Sequence, residues 1–167
     1  MKSMRRIRAG IVTISDSCAA GKRNDESGNY LKKKLKLVGW PVASYKVVPD
    51  DRKMIAETLV ELSDRKKLDV VLTTGGTGLS KRDVTPEATR DVIEKEIPGL
   101  SEAMRIQTFR NTRFSILSRG ISGYRGKTLI INLPGSVNAV SECSEIILPV
   151  IPHALEILKG KTHHGKN

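Results

Sequence analysis

Cysteine is nearly absent from this 167-residue chain: Cys18 and Cys143 are too few for a disulfide scaffold and sit in no paired metal-ligand spacing. Aromatic residues make up 4%, and no basic segment interleaves with them, so the stacking platform that binds single-stranded nucleic acid is missing. Long apolar runs are missing too. Stretches such as 128–133 and 146–151 fall far short of the roughly 20 residues that span a bilayer. The opening MKSMRRIRAGIVTIS sets basic residues before an apolar run, but that run meets Asp16 within a few positions and no cleavage pattern follows. The expectation is a cytoplasmic chain with no membrane segment.

What is present is globular: 38% hydrophobic residues with 14 glycines and 7 prolines, over a length that suits one domain. We place that domain at residues 1–160, followed by a flexible basic tail at 161–167. The net charge is +11, unevenly spread, with ten Lys/Arg against three Asp/Glu in residues 1–40 and nineteen against fifteen in the remainder. Such a balance suits an anionic partner without choosing among nucleic acid, nucleotide and phosphorylated metabolite. The cluster Lys32, Lys33, Lys34 and Lys36 reads most simply as a solvated helix face.

Strand and helix patterns alternate. Residues 7–15, 42–48 and 69–74 read as strands, separated by helices over Tyr30, Leu31, Leu35 and Val38 and over Ile55, Leu59 and Leu62. Residues 18–28 read as a loop. Thr85-Pro86-Glu87 has the chemistry of a helix start, with Thr85 as cap and Pro86 at the first position, and that helix is expected to run through Ile93 and end near Pro98-Gly99. A short helix over Met104 follows, then strands at 114–117 and 128–133 separated by the glycines of 120–126. Residues 136–158 read as helical, divided around Pro149 and Pro152. This alternation predicts an α/β three-layer sandwich with a mostly parallel central sheet.

The strongest local feature is Thr73-Thr74-Gly75-Gly76-Thr77-Gly78, directly after a strand. Its glycines permit a tight turn with amides facing an oxygen-rich ligand, and its threonines offer hydroxyls. It matches neither the phosphate loop nor the dinucleotide fingerprint, so an anion site and a tight structural turn both remain open. Leu133-Pro134-Gly135-Ser136 is a second strand-to-helix loop, with Ser136 as helix cap or ligand contact. Asp16, Asp50, Asp51 and Asp83 stand in neighbouring loops; each alone reads as a solvated loop residue, and one or two of them could hold Mg²⁺ for a phosphoryl or nucleotidyl reaction. Arg82, Ser118 and Arg119 are candidate anion contacts, Arg82 equally a loop brace. Neither cysteine has a histidine near it in sequence, Ser17 lacks the nucleophile-elbow context, and His153, His163 and His164 read as structural or tail residues.

Together these segments resemble the molybdopterin-binding family of molybdenum cofactor biosynthesis, which includes MogA, MoaB and the G domains of gephyrin and plant Cnx proteins. The matching pieces are Thr13–Asp16, Asp25–Gly28, Pro49-Asp50, Thr73–Gly78, Arg82–Pro86, Pro98-Gly99, Glu102, Met104-Arg105, Leu117–Arg119 and Asn132–Gly135. The resemblance implies the MogA-like fold and, in active members, transfer of AMP from ATP to the dithiolene pterin molybdopterin with Mg²⁺ and release of pyrophosphate. Carried onto this chain, it makes Asp50 and Asp83 the catalytic and metal-binding positions. It makes Thr73–Gly78 and Leu133–Ser136 the nucleotide and phosphate frame, and Asp16, Ser118 and Arg119 the pterin side. It further implies a homotrimer, with hexamers in some MoaB-like members, and transient contact with the molybdate-insertion enzyme. A non-catalytic pterin-binding paralogue is the alternative, and a polyanion- or RNA-binding module is a more distant one.

Overall fold

The computed structural model describes residues 6–160; the expected tail at 161–167 lies outside the described residues. Strand β1 (Ala9–Ile14) is buried along its whole length and pairs in parallel with β2 (Val42–Val48) on one side and β3 (Val70–Thr74) on the other. Next to β3 lies β6 (Thr128–Leu133), also parallel, then β5 (Ser122–Arg125) and the two-residue β4 (Lys95–Glu96), joined by antiparallel pairing. The order is β2-β1-β3-β6-β5-β4.

The three layers follow from the alternation of side chains along these strands. Ala9 and Ile11, Val70 and Leu72, and Leu129, Ile131 and Leu133 face one core. Helices α2 (Glu26–Leu37), α5 (Pro98–Thr108), α6 (Val137–Ile147) and α7 (Ile151–Leu158) cover it. Val12, Ile14, Val71 and Ile130 face the other core, under Ile55 and Leu59 of α3 (Arg52–Val60) and Ala88 of α4 (Thr85–Arg90). The expected three-layer sandwich is the fold observed.

Several elements differ from the sequence reading, each for a local reason. The segment read as a strand at 114–117 is a 3₁₀ turn, Arg113–Leu117, whose start is capped when the Thr112 hydroxyl accepts from the Phe114 amide at 3.4 Å. Phe114 and Ile116 point outward, and the strand lies instead in the glycine-rich stretch read as a connection. There a Cβ on Gly123 would stand 2.5 Å from the Lys95 carbonyl oxygen, so the absence of a side chain lets the edge strand pair. Pro98-Gly99 opens α5 rather than closing the preceding helix, because Pro98 sits where its missing N–H is harmless. The loop expected at 18–28 contains the end of a one-turn helix α1 (Asp16–Ala19) and the start of α2. Helix α3 runs on into a π-helical turn, Glu61–Arg65.

Cys143 lies on the buried face of α6, where desolvation, with a smaller contribution from Glu142, pushes its thiol from 9.0 up to about 11. The folded chain therefore holds the thiol proton more tightly than the unfolded chain. This contribution is complete below pH 9 and is lost as pH rises toward 11. Urea unfolding midpoints should fall across that window, and Cys143→Ala should flatten part of the slope; an unchanged slope would contradict the burial argument.

Candidate active site

Strands β2, β1, β3 and β6 run parallel, so their carboxyl ends meet at one edge. The chain passes from β1 outward to β2 and then back across to β3, and that reversal opens a crevice between the loops after β1 and β3. Both glycines after β3 are required there. Gly75 has φ +98° and Gly76 φ +66°; a Cβ on the first would lie 2.3 Å from the Ile14 carbonyl oxygen.

The hydroxyls of Thr73 and Thr74 are not offered to a ligand as expected. Thr73 is fully buried and its Oγ1 accepts from Asn132 Nδ2 at 3.0 Å; Thr74 Oγ1 donates to the Pro134 carbonyl at 2.7 Å. Thr77 is also buried, and its carbonyl accepts from the Arg119 amide. Thr85 does not cap α4. Its Oγ1 donates to the Gly75 carbonyl at 2.9 Å, while its amide donates to that of Gly76 at 3.1 Å. Ser136 does act as the cap of α6, accepting from the Ala139 amide at 3.3 Å. Gly135 is tied to α2 by Ser27 Oγ, which donates to its carbonyl at 2.6 Å.

Asp25 is a positioning residue absent from the sequence-derived site. It caps α2 through the Gly28 amide at 2.8 Å and accepts hydroxyl donors from Thr13 at 2.5 Å and Tyr45 at 2.6 Å. A Cβ on Gly28 would lie 2.0 Å from that carboxylate, which accounts for the Asp25–Gly28 segment as a cap packed against β1. The Asp-x-x-Gly spacing ahead of an amphipathic run was the signal for it.

Asp16 and Asp50 are brought together reciprocally: the Asp16 amide donates to Asp50 Oδ2 at 2.9 Å, and the Asp50 amide to Asp16 Oδ1 at 3.0 Å. Arg82 forks onto Asp16, with Nε to Oδ2 at 3.0 Å and Nη2 to Oδ1 at 2.8 Å. The guanidinium hydrogen bond is the main reason the Asp16 carboxyl lies below its ordinary range. Asp50 is shifted the other way, first by burial and then by the negative charges of Asp16 and Asp83, against a lowering from the Asp16 amide and Arg82. Asp83 is oriented by the Ser80 amide, which donates to its Oδ2 at 2.9 Å. Asp51 stands apart as the cap of α3, through the Met54 amide at 2.8 Å.

Two cavities of about 280 Å³ flank the loop 134–136. The more apolar one lies between α5, the 3₁₀ turn and α6, and takes in Met104, Phe114, Ser118, Asn132 and Cys143. The more polar one lies over the amino ends of α2 and α6 and takes in Ser15, Arg23, Ser27, Thr74, Gly75 and Gly135. Ser136 borders both. Arg119, expected beside Ser118 as an anion contact, borders neither; it turns toward residues 78–87.

Among the described residues, no three His, Cys, Asp or Glu side chains cluster to hold a metal by themselves, and no helix is long and apolar enough to cross a membrane. Asp50 and Asp83 nevertheless fit a Mg²⁺ that completes its shell with substrate oxygens and water. The mutual repulsion acting on Asp50 is what a cation would relieve.

In open, largely parallel α/β sheets ligands bind at the crevice where the strand order reverses, and here that crevice carries glycine turns and carboxylates. The family model described as a probable molybdopterin binding domain matches residues 10–153, and the chain belongs to that family, the MogA/MoaB group of molybdenum cofactor biosynthesis proteins. It is 38% identical over 159 residues to a molybdopterin adenylyltransferase of Helicobacter pylori, covering 94% of this chain and 90% of the relative. It is 44% identical to the molybdenum cofactor synthesis protein cinnamon of Drosophila melanogaster, of which it spans 26% while 93% of its own length is covered. Among solved structures, MoaB of Thermus thermophilus superposes with a TM-score of 0.87 at 47% identity, covering 93% of this chain and 98% of that one.

Proposed function

We propose that the chain is a molybdopterin adenylyltransferase, moving AMP from ATP to the terminal phosphate of molybdopterin. The observation that carries this reading is the placement of Asp50 and Asp83 against Gly76 and Gly78 of the glycine turn, whose Gly75 borders the polar cavity, with the apolar cavity across the loop 134–136. Two substrates must meet there, and the loops divide the space accordingly. Within the segments Thr73–Gly78 and Leu133–Ser136, it is Thr74, Gly75, Gly135 and Ser136 that border the cavity proposed for the nucleotide, with the amino end of α6 toward its phosphates, while Thr73 and Leu133 support the loops from the interior. The apolar cavity with Ser118 takes the pterin.

In the reaction, an oxygen of the pterin phosphate attacks the α-phosphorus of ATP, the α–β bridging bond breaks, and pyrophosphate leaves. The attacking phosphate is already ionised at neutral pH, so no protein nucleophile is needed. What the chain supplies is alignment of two polyanions and compensation of their charge. Asp50 and Asp83 would hold Mg²⁺, which when bound offsets charge on the phosphates and on the leaving group. Asp16 acts through Asp50, fixing it by the reciprocal amide bonds, and Arg82 holds Asp16 in turn.

Ile106 of α5 and Phe114 and Ile116 of the 3₁₀ turn are exposed apolar side chains of the kind a homotrimer would cover. Pyrophosphate release is the test: it should require ATP, Mg²⁺ and molybdopterin together. Release that ignores the pterin would overturn the reading. The second reading, a pterin-binding paralogue without turnover, would give no release at all.

A further inference from the structure

Ser118 and Arg119 are adjacent, yet their side chains part. Ser118 borders the apolar cavity, whereas the Arg119 guanidinium crosses to the loop that carries Asp83. Its Nε donates to the Gly78 carbonyl at 2.7 Å, its Nη2 to the carbonyl of Asp83 itself at 2.7 Å, and its Nη1 pairs with Glu87. The backbone amide of Arg119 adds a fourth tie, to the Thr77 carbonyl at 2.9 Å.

Gly78 and Asp83 are the two ends of an excursion whose residues 79–82 are all exposed. Within it, Ser80 and Asp83 bond to each other, the Asp83 amide to the Ser80 carbonyl at 3.0 Å and the Ser80 amide to Asp83 Oδ2 at 2.9 Å. Those local bonds shape the turn, and its tie toward the sheet is the solvent-exposed fork of Arg82 onto Asp16. An exposed turn with few buried contacts opens at little free-energy cost, so its ends must be held elsewhere if its carboxylate is to keep one position. One planar guanidinium does this at both ends, which a lysine with a single point of charge cannot. The segment bearing Arg119 is braced from behind: Arg105 Nη1 donates to the carbonyls of Ser118 at 3.2 Å and Gly120 at 2.9 Å.

We propose that Arg119 is a positioning residue: by gripping both ends of the 78–83 turn it sets the Asp83 carboxylate for adenylyl transfer, and it does not contact the pterin. This rests on the adenylyltransferase reading. The ion pair with Glu87 is half-exposed and by itself adds little to stability. The geometry that matters is the pair of carbonyl bonds.

The test is a double-mutant cycle on the full chain with molybdopterin, ATP and Mg²⁺. Arg119→Lys should lower kcat by about tenfold to a hundredfold, as small misplacements of a reacting group do, with KM for molybdopterin within about twofold of wild type. In an Asp83→Asn background the same substitution should lower kcat by no more than about a further twofold, because the group it positions is already disabled. Equal falls in both backgrounds, or a raised KM with unchanged kcat, would overturn the proposal; the latter would return Arg119 to the pterin. Amide hydrogen exchange without substrates separates this from failure of the function itself. In Arg119→Lys, amides 79–84 should exchange about tenfold faster while those of β1 and β3 stay unchanged. If wild type transfers no AMP, that acceleration still upholds the setting of the turn, and its absence overturns it.

Discussion

Replacing Asp83 by Asn should lower kcat for adenylyl transfer by about a hundredfold, while the dissociation constant for molybdopterin stays within about threefold of wild type. The asymmetry comes from geometry. Asn is isosteric and its carbonyl oxygen can still accept from the Ser80 amide, so the turn keeps its shape; only the negative charge is removed. In the proposed reaction that charge would act on Mg²⁺ and on phosphate alignment, whereas the cavity proposed for the pterin is bounded by Met104, Phe114 and Ser118 on other elements. Initial rates at saturating ATP, with a separate equilibrium titration of the pterin, measure the two quantities. Equal losses in turnover and affinity would contradict the division of roles between Asp83 and the cavity.

Gly75→Ala should destabilise the fold by about 3 kcal/mol and abolish turnover with it. Two effects combine. The residue sits at φ +98°, where a side chain is strained, and its Cβ would stand 2.3 Å from a backbone carbonyl of β1, which cannot swing aside as a flexible side chain would. Gly76→Ala should behave similarly, because its Cβ would meet Thr85 Oγ1 at 2.2 Å and Thr85 is fully buried with its hydroxyl already engaged. Gly99→Ala is the control: nothing lies within 4 Å of its Cβ, and the position is helical, so it should be neutral or stabilising by up to about 1 kcal/mol. Urea unfolding midpoints compare the three. A Gly75→Ala chain as stable as the Gly99→Ala chain would show that the close approach of β1 and the glycine turn does not hold the site.

The layers were legible in the sequence because the short, largely apolar runs of β1, β3 and β6, buried on both faces, alternate along the chain with the apolar stripes of α2, α3 and α6. The 3₁₀ turn at 113–117 was not, since Phe114, Ile116 and Leu117 carry a strand's composition while no neighbouring strand is there to pair with them. Strand β5 was hidden for the opposite reason. Its glycine reads as a loop residue until the Lys95 carbonyl is seen against it.

At the site, the sequence marked loops that the fold brings to one edge of the sheet, while several side chains take other partners than expected. The hydroxyls of Thr74 and Thr85 look like ligand donors and caps in one dimension; in the fold they close backbone carbonyls of the crossing loops. Arg119 looked like an anion contact because it follows Ser118, but neighbours along an extended chain face opposite ways. The reciprocal bonding of Asp16 and Asp50, across 34 residues, depends on β1 and β2 lying side by side, which no local pattern records.

The most direct measurement is anaerobic incubation of the purified chain with molybdopterin, ATP and Mg²⁺, followed by mass spectrometry of the pterin. An adenylylated pterin should appear only when all three are present and be nearly lost in the Asp83→Asn chain. Unmodified pterin, bound by the protein and recovered intact beside a working positive control, would contradict the adenylyltransferase reading.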